Sequence, residues 1–427
     1  MRGRPRRVIA LLLVAGLIAS AIGACGPTDP TIPVVDAAGS PISSQDGVAA
    51  ATPTVIPTPV PIPKHEVYGF VPYWEMIDGI AGHLADTELT TLALFSVTHR
   101  RSGELATNQT GYRRITGAIG ERLIREAQER GQRVELVYSS FGDEKNRRFY
   151  TEPEAQTRWI EELVDLADEI GVDGINVDVE LLPAEHVLDY GAFVGRLRAA
   201  LRERVPDAQV SVATQANERG AAMAAAAAAA GADRIFLMGY DYHWAGSDPG
   251  ASAPIERLDG EAKDLVWSLD LYAALGVPVD RTILGLPLYG MTWPTIGPGV
   301  GSPATGRGDS WVPRLNLRVF EDPDFEPTYE SIESVEFYSV PADGAGEEPA
   351  EGEASEGEAS GSVGPGSGEP GWNAVYYDSP RSLAPKLALA DERGLAGAGF
   401  WAIGYERGLP GYTELIATFR AGELTVP

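Results

Sequence analysis

Eight short apolar runs, separated mostly by helix-period segments, constrain what this chain can fold into more than any other feature. They read VYGFVPYW, TTLALFSV, RVELVYSS, DGINVDVE, QVSVATQ, RIFLMGYD, TILGLPLYG and GAGFWAIGYE. Segments such as ITGAIGERLIREAQERG, EAQTRWIEELVDLADEIG and EHVLDYGAFVGRLRAALRER lie between them. ERGAAMAAAAAAAGA is a strong helix former, with Gly231 placed to end it. Strands alternating with helices build parallel βαβ units, and eight of them in about 350 residues predict a (β/α)8 TIM barrel, an α/β fold. An open doubly wound sheet is the competing layout, but no GxGxxG follows an early strand.

Within the fourth run, Asn176, Asp178 and Glu180 form a polar row, and Ile175, Val177 and Val179 form the apolar row between them. A strand sends alternate side chains to opposite faces, about 6.6 Å apart from i to i+2. Two carboxylates and an amide therefore point the same way. In a barrel of this kind, functional groups gather at the C-terminal ends of the strands. Those ends offer Asp178 and Glu180 from the fourth strand, Tyr240 and Asp241 from the sixth, and Trp401 from the eighth. The first offers Tyr73, Trp74 and Glu75; the seventh offers Tyr289, with Trp293 four residues beyond; the third offers the small-residue turn SSFG. Carboxylates facing several aromatics suit a sugar, whose pyranose faces stack on flat rings while acids handle glycosidic oxygens. Metal and serine-nucleophile chemistries lack support: no HExxH, no GxSxG and no cysteine pair is present. His243, near the sixth strand end, is a lone histidine of the kind that is more often structural. No metal or cofactor is expected.

The chain starts MRGRPRRVIALLLVAGLIASAIGAC, a basic stretch, an apolar run and then small residues, which reads as a secretory signal over residues 1–25. Its end, IGAC, resembles the lipobox of bacterial lipoproteins. Cys25, the single cysteine, is the expected lipid attachment site. Residues 26–63 are rich in Pro, Thr, Ala and Val and read as an extended tether. The expectation is thus a barrel over residues 64–427, extracytoplasmic and lipid-anchored to the bacterial membrane, and monomeric. Between the seventh and eighth strands, residues of about 341–371 form an acidic low-complexity insertion, expected to be a disordered loop. A formal net charge of −27 argues against non-specific nucleic-acid binding, which needs a basic surface.

VDGINVDVE resembles the DGxDxDxE signature of glycoside hydrolase family 18, the chitinase-like family. MGYDYHWAGSDPGASAPI resembles that family's MxYD motif and the segment after it in a bacterial branch that includes spore cortex-type N-acetylglucosaminidases. LGLPLYGMTW and GLAGAGFWAIGYE are similar to the seventh and eighth strands of that branch, and SSFG is a looser counterpart of SxGG. The resemblance implies a retaining glycosidase in which the substrate's own N-acetyl group attacks the anomeric carbon. It implies Glu180 as general acid, Asp178 as the group holding the acetamide N–H, and Tyr240 as a hydrogen-bond donor to the acetamide oxygen. Asp241 would contact the sugar and Trp401 would floor the ring, with Tyr73, Tyr289 and Asn176 assigned to the binding site. Most members carry Asp where Asn176 stands. An amide can hold Asp178 by a hydrogen bond but cannot take a proton, so the change bears on pH dependence. The implied substrates are N-acetylglucosamine-containing glycans, peptidoglycan or chito-oligosaccharides. A non-catalytic sugar-binding protein on the same barrel is the alternative, and an endo-acting glycosidase on N-linked glycans a third.

Overall fold

In the computed structural model, residues 64–342 and 371–425 are described. Seven of the eight predicted runs form strands β1–β7 in chain order: β1 Glu66–Pro72, β2 Thr91–Val97, β3 Arg133–Phe141, β4 Gly174–Glu180, β5 Gln209–Gln215, β6 Arg234–Met238 and β7 Thr282–Pro287. Five further strands follow, β8 Gly290–Thr295, β9 Asp309–Trp311, β10 Thr328–Glu330, β11 Val335–Pro341 and β12 Trp372–Tyr377, before β13, Gly397–Trp401, supplies the eighth run. Strands β1–β7 and β13 close into a parallel barrel, order β1-β13-β7-β6-β5-β4-β3-β2. This is the predicted TIM barrel.

Both faces of each barrel strand are covered, which is why the runs read as nearly continuous apolar sequence. In β4 the row Ile175, Val177 and Val179 packs outward against helices Pro153–Ile170 and Val187–Arg204, in one large core with Trp159, Leu163 and Phe193. A second, smaller core fills the lumen with Tyr68, Phe70, Phe95, Val137, Ala213, Phe236 and Ile283. Helix boundaries follow local chemistry. Helix Pro153–Ile170 starts with Pro at its first position and stops at Gly171, whose φ of 71° is left-handed. The alanine-rich helix Glu218–Ala229 is capped by the Asn217 side chain, which accepts from Gly220 N at 2.9 Å, and Gly231 follows it with φ 96°.

The connection between β7 and β13 differs from the sequence reading. It carries a five-stranded antiparallel sheet, order β10-β11-β12-β8-β9, that the run pattern did not disclose. Two of its strands have only three residues and β8 contains Pro294, while β11 and β12, with seven and six residues, lie on either side of the acidic run and carry no helix-period segment between them. The acidic run joins β11 to β12, whose facing ends pair at Pro341 and Trp372. Residues 343–370 of that run, the tether and Cys25 lie outside the described residues.

Candidate active site

Register places the lumen-facing residues in layers. Glu135 on β3 and Gln209 on β5 stand level with Gly174 on β4; Val137 and Ser211 with Asn176; Ser139 and Ala213 with Asp178; and Phe141 with Glu180. Climbing β4 from its N-terminal end therefore passes a glycine, an amide, a carboxyl and then a second carboxyl at the mouth. That row is the polar row of DGINVDVE.

The mouth opens into a cavity of about 740 Å³, within the range of small-molecule sites. Asp178, Glu180, Tyr240, Asp241, Tyr289, Tyr73 and Trp401 all line it. The lining divides by strand. Aromatics gather on the arc from β13 through β1 and β2 to β3: Trp401, Phe70, Tyr73, Trp74, Phe95 and Phe141. Trp401 meets Phe95 edge-on at 4.7 Å between ring centroids, and Trp74 is 42% exposed with its Nε1 donating to Tyr405 Oη at 3.0 Å. The opposite arc, at the ends of β5 and β6, mixes the polar groups Gln215, Asn217, Arg257 and Lys263 with the rings of Tyr240, Tyr242 and Trp244. The mouth therefore has flat rings on both sides, with hydrogen-bonding groups concentrated on one of them.

Asp178 is 4% exposed, and its Oδ1 accepts no hydrogen bond among the described residues. Burial pushes its carboxyl well above the usual carboxylate range, and the neighbouring Glu180 charge pushes it further. Glu180, half-buried, is also raised, first by burial and then by Asp241. Gln215 opposes this by donating Nε2 to Glu180 Oε2 at 3.0 Å. The two carboxyls titrate as a pair, and the arrangement favours keeping a proton there. Below Glu180 the backbone is braced: fully buried Asn146 donates to the Glu180 carbonyl and accepts from Ser140 Oγ at 2.7 Å.

Asp241 sits at the mouth in the left-handed region, φ 63°, a conformation that Asp tolerates better than most residues. Its carboxyl accepts from Tyr289 Oη and its N–H donates to Ser252 Oγ at 3.1 Å. Tyr240 packs edge-on to Tyr289, and its hydroxyl is held strongly protonated by burial and by the Asp178 charge.

Three sequence readings are corrected here. Asn176, assigned to the binding site, is fully buried and does not line the cavity; its Nδ2 donates to Ser211 Oγ at 2.7 Å. Glu75, read as a mouth group, is 2% exposed and paired with Arg314. Trp293 is fully buried in the core of the antiparallel sheet with Phe337 and Tyr376, and it does not line the cavity. His243 is buried with Nδ1 donating to the Asp248 carbonyl at 2.7 Å, and it does not line the cavity. Gln215 went unnoticed although it ends the run QVSVATQ, where the strand-end rule applied to the fifth strand would have found it. Among the described residues no group of three or more His, Cys, Asp or Glu is arranged to hold a metal ion.

The profile of glycosyl hydrolases family 18 matches residues 67–406. YdhD, a sporulation-specific glycosylase of Bacillus subtilis (strain 168), is 26% identical over 163 residues, 37% of this chain and 36% of that protein. The chain thus spans about a third of that relative's length. The cortical fragment-lytic enzyme of the same organism is 23% identical over 330 residues, 76% of this chain and 67% of that protein. A crystal structure of a family 18 chitinase from Cycas revoluta in complex with (GlcNAc)3 superposes with a TM-score of 0.63 at 17% identity, covering 84% of this chain and all of that one. With the match spanning residues 67–406, most of the barrel, this chain belongs to glycosyl hydrolases family 18.

Proposed function

We propose that this protein is a retaining glycosidase that hydrolyses β-1,4-linked N-acetylglucosamine-containing polysaccharide by substrate-assisted catalysis. The observation that carries the reading is the Asp178–Glu180 pair, stacked on the lumen face of β4 beneath an aromatic-walled cavity and disposed to retain a proton. Glu180 gives its proton to the glycosidic oxygen as the C1–O bond breaks. The acetamido oxygen of the same sugar attacks C1 and forms an oxazolinium ion, whose N–H Asp178 holds as positive charge develops. Tyr240 donates to the acetamido oxygen and so aims it. Glu180, now a carboxylate, takes a proton from water as that water opens the ring, and the starting protonation state returns.

Gln215 and Asn146 keep Glu180 in place through its side chain and backbone, and Trp401 offers a flat floor to the distorted sugar. A non-catalytic sugar-binding role fits less well, since both carboxyls are present and share one cavity. Among glycans, the reading favours peptidoglycan or soluble chito-oligosaccharide over crystalline chitin. Lys263, half-exposed at the rim and, among the described residues, paired only with Glu218 at 3.0 Å, gives the mouth a cation that suits the lactyl or peptide carboxylates of peptidoglycan. The signal with its IGAC end supports export and lipid anchoring at Cys25, with the barrel held off the membrane by the tether. The test is release of a fluorophore from chito-oligosaccharide conjugates by wild type and Glu180→Gln. Wild type turns over and the variant binds without turnover; equal turnover by both would refute the assignment.

A further inference from the structure

Lys145 stands in the first turn of helix Asp143–Thr151, just past the end of β3, and the proposed chemistry does not use it. The chain has four lysines, and three of them hold a carboxylate: Lys64 pairs with Asp391, Lys263 with Glu218 and Lys386 with Asp378. Among the described residues Lys145 pairs with none, although the sequence carries 61 acidic residues. Its neighbours Asp143 and Glu144 are taken by Arg147 and Arg148 of the next turn.

Two physical effects oppose a cation at this position. Lys145 is half-buried, and burial alone brings its pKa down to about 8. The first turn of a helix also carries the positive end of its dipole. His99 offers no counter-charge: it is buried, and burial together with the Lys145 charge holds it at about 4, so it is neutral near pH 7.

The hydrogen bonds tie this charge to the catalytic cavity. Lys145 Nζ donates to Thr98 Oγ1 at 2.7 Å, and Thr98 Oγ1 spends its own proton on the Ser139 carbonyl at 2.6 Å. Thr98 and Ser139 both line the cavity, on the side of β2 and β3 and across from Lys263. The ammonium is therefore one hydrogen bond behind the cavity wall. Thr98 has no proton left for an arriving acceptor, whereas an ammonium has three N–H donors. Among the described residues Lys145 commits one of them, and its flexible four-carbon stem lets it turn from Thr98 to a partner at the wall.

We propose that Lys145 is a specificity-determining residue whose ammonium takes a carboxylate of the glycan where the substrate passes the wall between β2 and β3. This rests on the proposed function and narrows its substrate to glycans that carry carboxylates along the strand. In peptidoglycan that chemistry has two sources, the lactyl group where it is free and the stem peptide where the lactyl group is amide-linked. A bound carboxylate supplies the counter-charge that the fold withholds, so the cost of burying Lys145 is offset by the right substrate and not by a neutral one.

The experiment measures kcat/KM on a neutral chito-oligosaccharide, on glycan strands stripped of stem peptides, and on strands that keep them. Wild type, Lys145→Met and Lys145→Arg are compared, with circular dichroism as the folding check. The quantity read is the ratio of kcat/KM on a carboxylate-bearing strand to that on chito-oligosaccharide. Lys145→Met lowers this ratio about tenfold, the lower end for a hydrogen bond between charged groups, and Lys145→Arg keeps it within about twofold. A larger fall on stripped strands assigns the lactyl carboxylate, and a larger fall on the others assigns the stem peptide. An equal loss on all three substrates is the mark of a purely structural lysine and overturns the proposal, as does an unmoved ratio.

A second readout needs no folded Lys145→Met. The wild-type ratio falls from about pH 7 to 9, as the ammonium gives up its proton near 8, and stays level in Lys145→Arg, whose guanidinium keeps its charge. A level wild-type ratio overturns the proposal. Turnover of the neutral substrate alone also overturns it, whereas a wild type that cleaves none of the three removes the underlying reading instead.

Discussion

Among the described residues Gln215 is the one side chain that donates to the carboxyl of Glu180, and replacing it with Ala tests how the acid is tuned. The bond is 3.0 Å long and favours the ionised form, so it works against the upward push of burial and Asp241. A hydrogen bond to a charged group is worth about 1.5–3 kcal/mol, and one pKa unit corresponds to about 1.4 kcal/mol. Glu180 is half-exposed to the cavity, and water replaces part of the lost donor, which selects the lower end of that range. Gln215→Ala should therefore raise the proton affinity of Glu180 by about one unit. The general acid would then keep its proton to higher pH, and the alkaline limb of kcat/KM should move up by the same amount. The assay is fluorophore release from a chito-oligosaccharide conjugate across about pH 4 to 10. A loss of rate at the optimum is also expected, because the carboxyl loses an anchor. An alkaline limb that stays put or moves down in a folded variant would refute the reasoning.

Other outcomes follow from named contacts. Lys386 is fully buried and pairs with Asp378 at 2.5 Å, so Lys386→Met strands a carboxylate in the interior and should cost about 3–5 kcal/mol in urea unfolding. Adding Asp378→Asn should recover much of that loss; a cost below about 1 kcal/mol for the single variant would contradict the pairing. Glu135 is lifted from 4.5 to about 7 by burial, so its folded form binds the proton more tightly than the unfolded chain does. The stability it contributes is present below about pH 4.5 and is lost as pH rises to about 7, by about 3 kcal/mol. Glu135→Gln should flatten that stretch of the stability profile, and an unchanged slope would count against a buried, titrating Glu135. Lys263 lies at the polar rim, paired with Glu218 at 3.0 Å and half-exposed, so Lys263→Ala should act weakly and selectively. It should lower kcat/KM about two- to fivefold on peptide-bearing glycan and leave neutral chito-oligosaccharide unaffected, whereas equal effects on both would remove its role in selectivity.

How much of this was legible before the structure depends on the kind of signal. The β4 row was readable because alternation on a strand is strict, and the order of the barrel strands followed from βα alternation. Reading each strand end as a mouth group worked for Tyr240, Asp241, Tyr289 and Trp401, which do line the cavity. It failed for Glu75 and Trp293 because distant partners bury them: Glu75 pairs with Arg314, and Trp293, on β8, packs with Tyr376 of β12. Glu135 was invisible for a different reason. In RVELVYSS it looks like an ordinary exposed charge on a strand, and only closure of the barrel, with Gly174 beside it, decides that it points inward. Asn176 was read as holding Asp178 directly. The structure adds the serine and glutamate behind it, residues from β5 and β3 that no local pattern joins to β4. The antiparallel sheet after β7 was missed because two of its strands have only three residues and because β12 pairs with β11 and β8 across long stretches of chain.

In the proposed reaction the substrate's own acetamido group acts as nucleophile while Glu180 supplies and recovers the proton. The most direct measurement is proton NMR of the first-formed product during hydrolysis of a defined chito-oligosaccharide by the wild-type protein. Two displacements at C1 preserve configuration, so the β-anomer should appear first and the α-anomer only later, by mutarotation. An α-anomer at the earliest time points, from a direct attack by water, would contradict it.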